Sequence, residues 1–235
     1  VTNVLIAVPT NDRKNYCRDE FRAGLDWLID VTSEEYDVDV IFTDDTVAHD
    51  EVKDYWTNSG FNVIKLKDPS GMSDVNEYRV RSRNALREYF LENKEFTHIF
   101  WLDADIIPSD DIINGLIEHE VHSVSGVYYT QVQGRVMPLV YGHVKQGVDI
   151  KKITPDDCIP SCHLSFPELI PSRLLHVVCA PFGNTLMTRK IMEDVPFRWY
   201  GLGDESVVWF YDAIKKDYMI FVDTHYQSKH IWETI

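Results

Sequence analysis

The sequence predicts an α/β fold: a mostly parallel central sheet flanked by helices. Two observations carry this reading. Apolar runs short enough to be strands alternate with stretches of helical apolar spacing through the first half of the chain. Those runs end on polar, mostly acidic residues, as buried strands do where they emerge from a core. Strands alternating with helices are joined by right-handed crossovers, which leaves neighbouring strands parallel.

Val4-Leu5-Ile6-Ala7-Val8 is a continuous apolar run stopped by Pro9-Thr10 and reads as a buried strand. Phe21, Leu25, Leu28 and Ile29 then share one helical face. Val38-Asp39-Val40-Ile41-Phe42 is a second strand, closed by Thr43-Asp44-Asp45. A helix through Val52, Tyr55 and Trp56 stops near Gly60, and residues 62–66 form a third strand. A longer helix covers about 75–90, and residues 97–102 are a fourth strand that ends in Asp103-Ala104-Asp105. The second half is less regular. Residues 124–129 and 139–141 read as strands of a smaller antiparallel element, and 147–171 as a loop-rich stretch. A helix opens near Asp204, and Met219-Ile220-Phe221-Val222 is a strand leading to His225 and His230. No repeat, low-complexity tract or linker interrupts the chain, so one domain over 1–235 is expected.

Length and composition bound the function. At roughly 150 residues per domain, 235 residues suffice for one large core without metal or disulfide staples. With 23 Lys and Arg against 38 Asp and Glu, the formal charge is −15, which repels phosphate backbones and argues against nucleic acid as a partner. No apolar run approaches the ~20 residues that span a bilayer. Four cysteines are too few for a disulfide scaffold in a chain this size, and the cytoplasm is the expected compartment.

Ligands on such sheets bind beyond the carboxyl ends of the strands, here Pro9-Thr10, Asp44-Asp45 and Asp103-Ala104-Asp105. The last is the sharpest feature. Two carboxylates at the end of an apolar strand need a counter-ion, and Mn²⁺ or Mg²⁺ bound by Asp-x-Asp keeps sites for water and diphosphate oxygens. The bland alternative is an acidic helix start, because Pro108-Ser109-Asp110-Asp111 opens the next helix. Arg79, Arg83 and Arg87 share a helix face, with Arg81 roughly opposite. In so acidic a chain the row suits phosphate contact, or pairing with Glu88 and Glu92. Gly203-Asp204-Glu205 combines helix capping with carboxylates able to do acid–base work. Cys158-x-x-x-Cys162-His163, with Cys179 further on, lacks a second well-spaced pair and is not read as zinc. His119-Glu120-Val121-His122 is one residue short of the zincin spacing.

These motifs stand in an order that resembles the GT-A-fold, Asp-x-Asp-containing nucleotide-sugar glycosyltransferases. The resemblance runs from 4–10 through Arg83-Asn84, Phe100-Trp101-Leu102-Asp103-Ala104-Asp105 and Gly203-Asp204-Glu205 to the segment from Asp223 to His230, nearly the whole length. It implies one GT-A domain, with 1–108 the nucleotide-binding half and 109–235 the sugar- and acceptor-binding half. It further implies that Asp103 and Asp105 hold Mn²⁺ or Mg²⁺, completed by His230, with His225 the rival. Pro9, Thr10, Asp44, Asp45, Arg83, Asn84 and Ala104 would contact the nucleotide, and Gly183 and Asn184 would shape the sugar site. The Glu-Asp pair of the inverting members is reversed here to Asp204-Glu205. By register Glu205 is the base, and Asp204 contacts acceptor hydroxyls.

The implied reaction moves a sugar from a nucleotide diphosphate to an acceptor hydroxyl, with inversion. The acceptor is a glycan, a lipid-linked molecule or a protein, and a lipid acceptor would bring peripheral association with the inner membrane face. Two alternatives stand beside it. A nucleotidyltransferase would need a glycine-rich first loop, which Pro9-Thr10-Asn11-Asp12 is not, and an Asp-x-Asp phosphohydrolase would carry Thr or Val where Ile107 stands. A binding protein for sugar nucleotides or glycans would keep the fold without turnover.

Overall fold

The first apolar run becomes the middle of β1 (Asn3–Thr10), and its alternating side chains feed two cores. In the computed structural model the structure describes residues 2–46, 49–66, 74–132, 134–142, 164–199 and 204–232. After a 3-10 turn at Asp12–Cys17 come α1 (Arg18–Ser33), β2 (Asp37–Asp44), α2 (Glu51–Asn58), β3 (Asn62–Lys65), α3 (Val75–Glu92) and β4 (His98–Leu102). Leu5 and Ala7 of β1 pack with Leu86 and Phe90 of α3, while Val4, Ile6 and Val8 pack with Phe21, Leu25 and Leu28 of α1. β4 divides in the same way, Ile99 and Trp101 to one side, Phe100 and Leu102 to the other. Strands covered on both faces are apolar throughout, which is why these runs lack alternation in the sequence.

The four strands stand parallel in the order β3-β2-β1-β4. From β1 the chain steps outward to β2 and β3, then returns to place β4 on β1's other side. The carboxyl ends of β1 and β4 therefore flank a topological switch point, where ligand crevices open in such sheets. Gly60, at φ 91°, follows α2 in the left-handed conformation that ends helices, as its position predicts.

The rest of the chain contributes β5 (Ile106–Ile107), α4 (Ile112–Ile117), β6 (Ser123–Val127), β7 (Tyr129–Val132), β8 (Arg135–Pro138), β9 (Leu174–Val177), β10 (Asn184–Thr188), α5 (Arg189–Asp194), α6 (Glu205–Lys215), β11 (Ile220–Gln227) and β12 (Lys229–His230). The eight-stranded sheet continues as β4-β10-β6-β11-β9, with β10 antiparallel to both its neighbours. β7 and β8 form a separate antiparallel ribbon, and β12 pairs with β5.

Three expectations are corrected. Leu139-Val140-Tyr141 is not a strand: the turn at Gly134 (φ 76°) pairs 129–132 with 135–138, so Val140 goes to the core and Tyr141 makes one bridge to Cys179. The loop expected around Gly183 and Asn184 ends at Gly183: Asn184 to Thr188 is a central strand, whose polar residues satisfy no strand pattern until β4 and β6 enclose it. The acidic cap expected before α4 is not used as one. Asp111 stands at the helix start with φ 60° and no side-chain cap, and Asp103 and Asp105 lie well before it. Cys158, Cys162, His163, Gly201, Gly203 and most of 147–171 lie outside the described residues, and Cys17 and Cys179 are buried. No helix among the described residues is long and apolar enough to cross a membrane.

Candidate active site

At the switch point a cleft of about 270 Å³ opens. Pro9, Thr10, Asn11, Lys14 and Asp45 line it from the ends of β1 and β2, and Asp103, Ala104 and Asp105 from the end of β4. Arg79 and Arg83 of α3 enter opposite Asp204 and Glu205 of α6, while Tyr128, Tyr141, Phe182 and His230 complete the lining.

Asp105 is buried, its side chain 9% exposed, and two basic groups converge on its Oδ2. One is Lys14 Nζ, in a direct ion pair. The other is His230 Nε2 at 3.3 Å. Burial pushes the Asp105 carboxyl up, but His230 and Lys14 more than offset this and hold it below its ordinary value. Burial lowers His230, and Asp105 outweighs that to raise it. His230 Nδ1 donates to the Tyr129 carbonyl at 3.0 Å, which turns Nε2 toward Asp105. A backbone carbonyl on one ring nitrogen, fixing the ring's orientation, is how metal-binding histidines are held. Carboxylate oxygens suit Mn²⁺ and Mg²⁺, and Asp105 with His230 beside it is where the ion that the Asp-x-Asp motif implies would be held. His225, the rival ligand, is exposed and outside the cleft lining. Among the described residues no three His, Cys, Asp or Glu side chains are gathered into one ligand set.

Asp103 faces elsewhere. Its Oδ1 accepts from Arg83 Nη2 at 3.0 Å, and its Oδ2 lies against Gly183, where an added Cβ would sit 2.7 Å away. Glycine is required there by this approach. Gly183→Ala is expected to displace Asp103 and cost about 1–3 kcal/mol, read as a lowered urea midpoint together with weakened Mn²⁺-dependent nucleotide binding.

Arg83 ties the two acidic centres together. Its side chain is 5% exposed; Nη2 reaches Asp103, and Nε donates to Glu205 Oε1 at 3.2 Å. The guanidinium lies 4.5 Å above the Phe182 ring and 5.6 Å from that of Trp101, within a cluster that Phe197 and Trp209 complete. Asp204 caps α6, accepting from the Ser206 amide at 3.1 Å, and pairs with Arg79 Nη1 at 3.1 Å. Glu205, in the first turn of α6 and 3% exposed, is pushed up to about 8 by burial and by Asp204, against the pull of Arg83 and Arg79. Burial also raises Asp204, yet the hydrogen bond from Glu205, Arg79 and Ser206 bring it to about 2. Burial and Asp204 thus favour the protonated form of Glu205, while Arg79 and Ser206 favour the ionised form of Asp204.

Several expected nucleotide contacts lie elsewhere. Asp44 is wholly buried, accepting from the Thr46 amide at 2.8 Å and from Lys65 Nζ at 2.8 Å, so both oxygens are spent beneath the cleft. Its neighbour Asp45 reaches the lining, with its carboxyl raised by burial. Asn84 turns away to bracket the Phe197 backbone, donating at 2.9 Å and accepting at 3.1 Å. Asn184 is buried against Ser228, and Arg87 donates to the carbonyls of Met192 and Glu193 at the end of α5. Of the arginine row, Arg79 and Arg83 reach the cleft. Lys14, Tyr128 and Tyr141 were not anticipated. Lys14 carries the one signal that was available, a cation one turn beyond the first strand of an acidic protein.

No protein-family model matches the chain, and no curated protein matches its sequence. Solved structures match its fold. Residues 1–349 of S. aureus TarS, also solved with UDP, align with a TM-score of 0.60 at 13% identity, covering 98% of this chain and 60% of that one. GalNAc-T7 with UDP, GalNAc and Mn²⁺ gives 0.60 at 10% identity, covering 99% and 44%. The mannosyltransferase PcManGT of Pyrobaculum calidifontis, with GDP-Man and Mn²⁺, gives 0.53 at 12%, covering 99% and 57%. The chain thus spans 60% or less of each. Its fold is GT-A-like, sharing with these structures a mostly parallel sheet flanked by helices over nearly its whole length.

Proposed function

We propose that this protein is a metal-dependent glycosyltransferase, moving a sugar from a nucleotide diphosphate to an acceptor hydroxyl with inversion. The observation that carries the reading is the pairing, within one cleft, of the Asp105–His230 donor set with a buried Glu205 whose proton affinity suits a base. The structures of GalNAc-T7 with UDP and GalNAc and of PcManGT with GDP-Man support the substrate class. Asp105 and His230, with Asp103, would hold Mn²⁺ or Mg²⁺, which supplies the positive charge that stabilises a diphosphate leaving group. Thr10, Asn11 and Asp45 would hold the nucleoside, and 109–235 would receive sugar and acceptor. Glu205, once deprotonated, takes the proton from the acceptor oxygen as that oxygen attacks the sugar. Arg83 keeps the carboxylate aimed into the cleft, and Asp204 stays ionised to draw acceptor hydroxyls.

Calorimetric titration of UDP, GDP and other nucleoside diphosphates, with Mn²⁺ and with EDTA, tests the proposal. One nucleotide is expected to bind with Mn²⁺ and to lose about 100-fold or more in affinity in Asp105→Ala, by the scale on which metal sites respond to lost support. Absence of binding under every condition would sink the transferase reading.

A further inference from the structure

Resting on that reading, we infer that Lys14 and a divalent cation exchange at the same oxygen of Asp105, and that the displaced ammonium serves the diphosphate of the donor. The ion pair places Lys14 Nζ on Asp105 Oδ2, the oxygen that His230 also approaches. An ammonium in direct contact with that oxygen and a divalent cation bound there would stand within one contact distance of each other, and like charges so close repel strongly in a buried site. The two occupants are therefore alternatives.

Lys14 is built to move only at its tip. Its backbone belongs to the 3-10 turn after β1, fastened at the start by the Asn11 side chain, which accepts from the Arg13 amide, and by the Asp12 amide on Thr46 Oγ1 at 2.9 Å. At the other end Cys17 Sγ reaches both the Lys14 carbonyl at 3.2 Å and the Ala104 carbonyl at 3.3 Å, tying the turn to the Asp-x-Asp loop. The four-carbon side chain is 34% exposed and lines the cleft, so its charge can swing without refolding. Asp103 and Glu205 are matched by Arg83, and Asp204 by Arg79. A diphosphate entering at the ends of β1 and β4 is the anion that a released Lys14 meets, as a mobile point charge suited to phosphate. Metal and nucleotide should then bind cooperatively, each raising the other's affinity by one common factor.

The test titrates Mn²⁺ alone, and then the nucleotide found above with and without Mn²⁺, into wild type, Lys14→Met and Lys14→Arg, with thermal melts to confirm folding. Lys14→Met is expected to bind Mn²⁺ alone about tenfold or more tightly than wild type, and to bind nucleotide in Mn²⁺ less well, so that the coupling shrinks. Lys14→Arg keeps the competing charge and should bind Mn²⁺ alone as weakly as wild type. Equal Mn²⁺ affinity in wild type and Lys14→Met would overturn the exchange. Tighter Mn²⁺ with unchanged nucleotide affinity would overturn the transfer of Lys14 to the diphosphate. Nucleotide binding that ignores EDTA but vanishes in Lys14→Met would make Lys14 a permanent counter-ion, which also refutes the exchange. In each of these cases wild type still binds nucleotide; if it binds neither Mn²⁺ nor any nucleotide, the transferase reading itself fails.

Discussion

Glu205→Gln is expected to lower the rate of sugar transfer by about 10²–10⁴-fold, the usual contribution of a positioned base, with Mn²⁺-dependent nucleotide affinity little changed. The amide keeps the size and the hydrogen bond but cannot accept the acceptor's proton. In wild type the rate should rise with pH toward about 8, where Glu205 deprotonates, and that limb should be absent from the residual activity of the variant. The same group leaves a mark on folding. A carboxyl raised from 4.5 to about 8 in the native state is protonated there while the unfolded chain has already ionised. The stability it contributes is full below pH 4.5 and is lost as pH climbs through 8, a change on the order of 5 kcal/mol. Asp204, lowered from 3.8 to about 2, acts in the opposite sense: its contribution is present above 3.8 and disappears as pH falls through 2. Urea midpoints at pH 5 and pH 8.5 should therefore separate in wild type and converge in Glu205→Gln. Equal midpoints in wild type would show that Glu205 ionises normally.

Arg83→Met should be the most destabilising change in the cleft, at about 3–5 kcal/mol, because it leaves the Asp103 carboxylate without its cation and Glu205 Oε1 without its donor. Asp103 and Glu205 lose their partner together, and the contact with the Phe182 ring goes too. Arg79→Met is the control. Its side chain is about half exposed at 48%, so the pairs it makes with Asp204 and Glu205 should be worth under about 1 kcal/mol. Above pH 8, where Glu205 is ionised, adding Glu205→Gln to Arg83→Met should recover part of the loss, since one of the stranded charges is then removed, and a double-mutant cycle in urea at that pH measures the coupling. Additive losses would mean that the bridge from Arg83 to Glu205 contributes nothing.

The parallel half of the fold was legible because β1 and β4, the pair at its centre, are buried on both faces. Residues 4–8 and 99–102 have no polar position to confuse the pattern, and the first polar residues mark the sheet's edge, where ligands bind. The Asp-x-Asp motif and the capped start of α6 were readable for the same local reason. β10 was hidden, since Asn184 and Thr185 are polar residues at the centre of the sheet, made tolerable by the partners that surround them there.

The site divides along the same line. Residue type and position along the chain determined which strand ends bear charge, that Asp204 caps a helix, and that His230 follows the last long strand. Tertiary structure alone decided the partners. It paired Asp105 with Lys14 and His230, 91 and 125 residues away, and it turned Arg83 from an expected nucleotide contact into a buried bridge between Asp103 and Glu205. It also sank Asp44 and left Asp45 in the cleft. Local pattern reports what a residue can bond; the length of chain between partners carries no record of which partner arrives, because burial and charge balance are settled only when the sheet closes around them.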